Sequence, residues 1–279
     1  MEEYYTPPLG ATISETIDDI RSRGFIPPSP TMIKNAEQIF GCAEAGRINS
    51  LVLDAVAAEI RPGISTGDID DIVSCETRRL GGECAPLGFH GYPKSVCTSV
   101  NNVICHGIPS YREKLSEGDI INVDCTTVFG GYYGDASRMF TVGEVSDEAM
   151  RLVELTRLAV EEAVSRLTPY RSTLGDIGAL IHAMARAAGY SVVREIGGHG
   201  VGLSMHEEPY VCHVGDRGRG MLLIPGMIFT VEPMINQGVS KFYIDKKDGW
   251  TVRTADGRLS AQVEYEVLIT DSGHRILSK

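Results

Sequence analysis

Apolar positions along this 279-residue chain alternate between helical and strand spacing, and the alternation comes twice. Between Ile33 and Ile60 they recur every three or four residues, which predicts a helix. The step Arg61-Pro62-Gly63 stops it before a second helix opens at Ser65 or Thr66. After an extended middle, another helical pattern starts at Ser146, with Glu148 in its first turn, and reaches Thr168-Pro169-Tyr170. The segments after the two breaks are alike: PGISTGDIDDIVSCETRRLG from Pro62, and PYRSTLGDIGALIHAMARAAG from Pro169. Each is a proline, a Ser-Thr cap, Gly-Asp-Ile and an amphipathic helix. The offset of about 107 residues predicts two related halves, each a helix pair followed by a strand-rich segment. A site is then expected at their junction.

Residues 1–32 stand apart from that pattern and read as an N-terminal extension to a main domain over 33–279. Pro7, Pro8, Pro27, Pro28 and Pro30 bracket a single helical stretch. In it Thr12 and Glu15 stand at capping-box spacing, and Ile13, Ile17 and Ile20 share a face that can dock.

The strand-rich segments carry the anomalies. DIINVDCTTVFGGYYGDASRMFTVG, 119–143, alternates around Gly130-Gly131 as a hairpin does. With Phe129-Gly130 as the loop Asp124 faces Asp135; with Gly130-Gly131 it faces Ser137. Either register sends both aspartates to one face, which is a wet outer face or a cation site. In MIFTVEPMIN, Glu232 sits in an apolar strand, where an unpaired carboxylate is costly, so a buried partner is expected. Glu264 and Glu266 share parity in another strand, so that one or both could face solvent. In GGHGVGLSMHEEP the glycines disfavour a helix. The seven-residue spacing of His199 and His206 would point their rings to opposite faces of an unbroken strand, which implies different roles.

Composition narrows the classes. An apolar share of 43% and a charged share of 23% are those of a globular protein. The formal net charge of -11 disfavours general nucleic-acid binding and favours cations. The seven cysteines are scattered without a CxxC pair, so neither a disulfide framework nor a structural zinc site is expected, and a reducing cytoplasm fits. The N-terminus has no signal-peptide core, and the run MLLIPGMIFTV meets Glu232 before it could span a bilayer.

Taken together, Asp124, Asp135, His199, Glu232 and Glu264 suit a pair of hard-to-borderline divalent ions. Four carboxylates balance two dications, the neutral imidazole adds nothing, and such a pair supports hydrolysis of a carbonyl by activated water.

With these residues in place, the sequence resembles the type I methionine aminopeptidases, metal-dependent exopeptidases with the pseudo-twofold pita-bread fold, an α+β arrangement of curved antiparallel sheet covered by helices. HGYPKSVCTSVNNVICHGIP, INVDCTTV with GDASRMF, GGHGVGLSMHEEP, FTVEPMIN, and DGWTV with SAQVE carry the resemblance over roughly 33–279. It implies two divalent ions (Co, Mn, Fe, Ni or Zn) on Asp124, Asp135, His199, Glu232 and Glu264, with Asp135 and Glu264 bridging. It further implies Glu232 as general base, His106 at the substrate amine end or scissile amide, and His206 as donor to the oxyanion. The implied side-chain pocket is Phe89, Tyr92, Cys97, Met205 and Trp250, with His90 nearby. Three positions depart from the family pattern: Pro86 in place of a cysteine, Met205 in place of Phe, and Tyr265, after Glu264, in place of His. The implied activity is removal of the initiator methionine from nascent chains in the cytoplasm, by a monomer, with the ribosome as a candidate partner and no direct nucleic-acid or membrane contact.

Other readings carry less. Peptidases of this fold that cleave before proline usually have a larger N-terminal domain than 32 residues allow. The 25 residues between His206 and Glu232 leave no room for the helical insertion of the type II enzymes. A non-catalytic peptide-binding or ribosome-associated protein on the same fold would be expected to lose ligands, and all five are present.

Overall fold

The computed structural model describes residues 7–8 and 10–279. Helix α1, Ile13–Ser22, begins at Thr12, whose hydroxyl and Glu15 form the expected capping box. It docks through Ile17 and Ile20, while Ile13, expected on the same face, is exposed in the first turn. Helix α2, Ala36–Ala57, starts at a second capping box, Asn35 with Gln38, and α3, Thr66–Arg79, starts at Ser65 with Asp68. The strands β1 (Glu83–Cys84), β2 (Cys97–Val100), β3 (Val103–Cys105), β4 (Ile120–Phe129) and β5 (Tyr132–Thr141) complete the first half.

The second half repeats the order. Helix α4, Asp147–Ser165, is capped by Ser146, and α5, Leu174–Ala187, by Thr173 with Asp176. The short strands β6 (Ser191–Val192), β7 (Gly198–Gly200), β8 (Glu207–Val211), β9 (Ile228–Val231) and β10 (Met234–Asn236) come next. After them come β11 (Phe242–Ile244), β12 (Val252–Thr254), β13 (Ser260–Gln262), β14 (Tyr265–Thr270) and β15 (Gly273–Ser278). Every strand pair is antiparallel.

Each half has its own core between helices and strands. In the first, Val52 and Val56 of α2 and Ile69 and Val73 of α3 meet Ile121 and Val123 of β4. In the second, Leu152 and Val160 of α4 and Ile177 and Ile181 of α5 meet Phe229 of β9 and Val267 of β14, and Ile20 of α1 joins them. Contact between α2 and β5 is close enough that a Cβ at Gly134 would lie 2.3 Å from the Gly46 nitrogen. The halves are stitched where Glu264 bridges Ser137: the Glu264 N–H donates to the Ser137 carbonyl at 3.1 Å, and the Ser137 N–H to the Glu264 carbonyl at 3.4 Å. Among the described residues no helix is long and apolar enough to cross a membrane.

Candidate active site

The hairpin β4–β5 turns on Gly130-Gly131, both at positive φ, so Asp124 faces Ser137 and Thr126 faces Asp135. Both aspartates therefore lie on one face, and that face is not wet: Asp135 is 3% exposed. The stitch at Ser137 lays Glu264 alongside them. From the second half, β7 brings His199, and Glu232 follows the last residue of β9, where Pro233 ends the strand. Oxygens of Asp135 and Glu264 and a nitrogen of His199 come within 4.8 Å of one another, and His199 Nε2 lies 3.4 Å from Glu232 Oε1.

Neutral groups aim these side chains. The Thr126 hydroxyl donates to Asp135 Oδ1 at 2.9 Å. Thr230 accepts from the His199 N–H at 3.0 Å and donates to Glu232 Oε1 at 2.7 Å, while Gln262 Nε2 donates to Glu232 Oε2 at 3.0 Å. The Glu232 N–H donates to Nε2 of the buried His213 at 3.0 Å. The Glu232 carboxylate thus has buried partners, the neutral donors Thr230 and Gln262 rather than a lysine or arginine. Glu266 corrects the expectation of a solvent-facing carboxylate. It is fully buried in β14, between β9 and β15, and Glu266 Oε2 accepts the Asp135 N–H at 3.0 Å.

Electrostatics makes the cluster a candidate cation site. Burial pushes the Asp124 carboxyl up to about 7. Burial, then the neighbouring carboxylates, hold Asp135, Glu232 and Glu264 well above the ordinary range. Among the described residues no lysine or arginine pairs with them; His199 Nε2 lies 3.4 Å from Glu232 and 3.8 Å from Asp135. Burial pulls His199 down to about 4, so its ring is neutral. Because Nδ1 lies 3.0 Å from the Gly200 carbonyl, which can only accept, the proton sits there and the Nε2 lone pair faces the carboxylates. Four crowded carboxylates with a neutral imidazole nitrogen are a donor set that fits divalent metal.

A cleft of about 330 Å³ opens on this cluster. Phe89, Tyr92, Cys97, Met205 and Trp250 line it with His106, His206 and all five candidate ligands, and Pro86 and Tyr210 add to the wall. Cys97 stands directly across the ladder from Asp124, and burial pushes its thiol up, so it acts as an apolar wall. The Tyr92 ring meets Trp250 edge-on at 5.2 Å, and its hydroxyl lies within hydrogen-bond distance of the Val96 and Gly107 carbonyls. Gly107 follows His106, which is held at φ 56 with its ring 6.2 Å from Trp250. Burial pulls His106 down to about 4, and lowers His206 as well.

Two sequence expectations change. His199 and His206 do not lie on one unbroken strand: β7 ends at Gly200 and the chain turns, so the rings meet at 4.3 Å on one side of the cleft. His90 is not in the lining; it is exposed and packs edge-on behind Phe89, ring to ring at 4.4 Å. Tyr265 points the other way from Glu264, its hydroxyl donating to Glu161 of α4 at 3.2 Å, so it does not enter the surroundings of that carboxylate. Sequence pattern alone passes over His213 and Thr230, although Thr230 shares strand parity with Glu232, and leaves the place of Glu266 open.

Metallopeptidase family M24 matches residues 41–271. Methionine aminopeptidase A of a Synechocystis strain is 45% identical over 235 residues, 84% of this chain and 92% of its own. The methionine aminopeptidase of Escherichia coli is 44% identical over 250 residues, 88% of this chain and 93% of its own. The crystal structure of the Rickettsia prowazekii methionine aminopeptidase superposes with a TM-score of 0.86 at 39% identity, covering 88% of this chain and 99% of that one. With the pita-bread arrangement of two helix-backed halves around a junction cluster, this chain belongs to metallopeptidase family M24, in its methionine aminopeptidase branch.

Proposed function

We propose that the chain is an exopeptidase that hydrolyses the N-terminal methionine from nascent proteins and peptides, preferring a small second residue. The observation that carries this reading is the junction of the carboxylate–imidazole cluster with a cleft walled by rings and sulfur. A thioether gains about 0.3–1.5 kcal/mol from each favourable contact with a ring edge. In this reading Asp124, Asp135, His199, Glu232 and Glu264 would hold two divalent ions, drawn from Co, Mn, Fe, Ni and Zn. When bound, such a pair supplies Lewis acidity and makes water nucleophilic at neutral pH.

The chain's own residues do the rest. Glu232 takes the proton of the attacking water and returns it to the leaving amine; the hydrogen bonds from Thr230 and Gln262 hold its two oxygens in place. His206, neutral at working pH, donates its ring N–H to the oxygen that develops charge. His106 contacts the scissile amide or the amine end of the substrate. Phe89, Tyr92, Cys97, Met205 and Trp250 take the methionine side chain, with Phe89 held by His90 behind it. Residues 33–279 form the catalytic domain and 1–32 an extension to it. The protein acts in the cytoplasm as a monomer on nascent chains at or near the ribosome.

The test is release of methionine from a Met-Ala-Ser peptide in manganese or cobalt, with and without chelator. The expected result is metal-dependent release that Glu232→Gln reduces about 10²–10⁴-fold. Metal-independent peptide binding without turnover would instead support a non-catalytic binding protein on the same fold.

A further inference from the structure

The loop between β7 and β8 carries two cleft residues, Met205 and His206; Leu203, Ser204 and His206 in it are exposed, and the His206 ring meets Phe89 at 5.2 Å and His199 at 4.3 Å. A carboxylate ties its backbone. Glu207 Oε1 accepts the Leu203 N–H at 2.6 Å and the Ser204 N–H at 2.9 Å. Its other oxygen accepts from Lys34 at 2.5 Å, and the Lys34 side chain is 1% exposed. Lys34 is itself pinned, because its N–H donates to the Gly226 carbonyl at 2.9 Å. At the near end of the loop, Gly202 stands at φ 131, and a Cβ there would meet Cys42 Sγ at 2.7 Å and Lys34 Cε at 3.5 Å. A lysine buried this far needs a paired anion. Here the pairing falls on a residue that ties two of the loop's backbone N–H groups, while the Tyr133 N–H holds the Gly202 carbonyl at 3.0 Å.

We propose that Lys34 and Glu207 form a clamp that positions His206 and Met205 for the reaction, with neither touching substrate or metal. Lys34 lies between the N-terminal extension and α2, so its ammonium reaches the loop across 173 residues of sequence. The proposal rests on the functional reading above. It identifies Lys34 and Glu207 as positioning residues, acting through His206 for turnover and through Met205 for substrate fit.

The experiment compares Lys34→Met and Glu207→Gln with the parent, each loaded with manganese, on the Met-Ala-Ser peptide. The clamp predicts a loss in kcat/KM of about tenfold to a hundredfold, with manganese affinity within about threefold of the parent. In a His206→Ala background the loss caused by Lys34→Met shrinks to less than about threefold, because the group it positions is gone. Losses that multiply fully, or that track lost manganese affinity, overturn the proposal, as does near-parental kcat/KM in a folded Lys34→Met. Should the variants fail to fold, amide exchange in the intact parent decides. The Leu203 and Ser204 amides are then slowed about a hundredfold or more relative to an open loop, and free exchange overturns the clamp. A parent that releases no methionine refutes the functional reading, and amide exchange still decides the clamp.

Discussion

Thr230 is a single hydroxyl between two site residues, accepting from the His199 N–H and donating to Glu232. Thr230→Val keeps the shape and strands both partners. The expected cost is about 1–3 kcal/mol of stability, read by urea denaturation, with a fall in kcat. His206→Ala is expected to lower kcat about 10²–10³-fold while manganese affinity stays unchanged in a direct titration, if His206 has the proposed role of donor to the developing oxyanion. Parental turnover in His206→Ala would remove it from the mechanism. At this scale the charged members of the site were legible because a carboxylate in an apolar strand is an anomaly. Thr230 and His213 were not, because a neutral polar residue in a strand is ordinary until its partner is known.

The hairpin β4–β5 shows what pattern gives at the level of elements. Alternation alone put Asp124 and Asp135 on one face in either register, and the glycine pair then chose Ser137 as the residue opposite Asp124. Glu266 was ambiguous because parity says which residues share a face, not whether that face is covered; its strand turned out to lie between two others. The histidine spacing misled for a related reason, since it assumed a strand that the loop after Gly200 interrupts. Contact between α2 and β5 makes its own prediction. Gly134→Ala has no room against the Gly46 backbone, so stability falls by about 1–3 kcal/mol. Asp135 is the next residue, so manganese affinity falls with it. A Gly134→Ala protein with parental melting temperature and affinity would contradict the packing described.

Across the whole molecule, two helix-backed halves bury four carboxylates at their junction, and this gives the metal-free protein a pH signature. The folded values are raised, to about 7 for Asp124 and well above the ordinary range for Asp135, Glu232 and Glu264. Between the ordinary carboxylate range near 4 and those raised values, the folded state binds more protons than the unfolded one. Stability of the chelated protein therefore falls as pH rises through that window, and is greatest on its acidic side. Added manganese should raise the melting temperature more at pH 7.5 than at pH 5.5, because deprotonated ligands bind it. A chelated protein whose melting temperature rises over the same interval would contradict this. The repeat near Pro62 and Pro169 made the two-half plan readable from sequence. The stitch between Ser137 and Glu264 was not readable, because it joins segments with no pattern in common. The most direct test of the central claim is anomalous scattering at the manganese edge from crystals grown in excess manganese. The account predicts two peaks enclosed by Asp124, Asp135, His199, Glu232 and Glu264; density showing those side chains with no ion between them would contradict it.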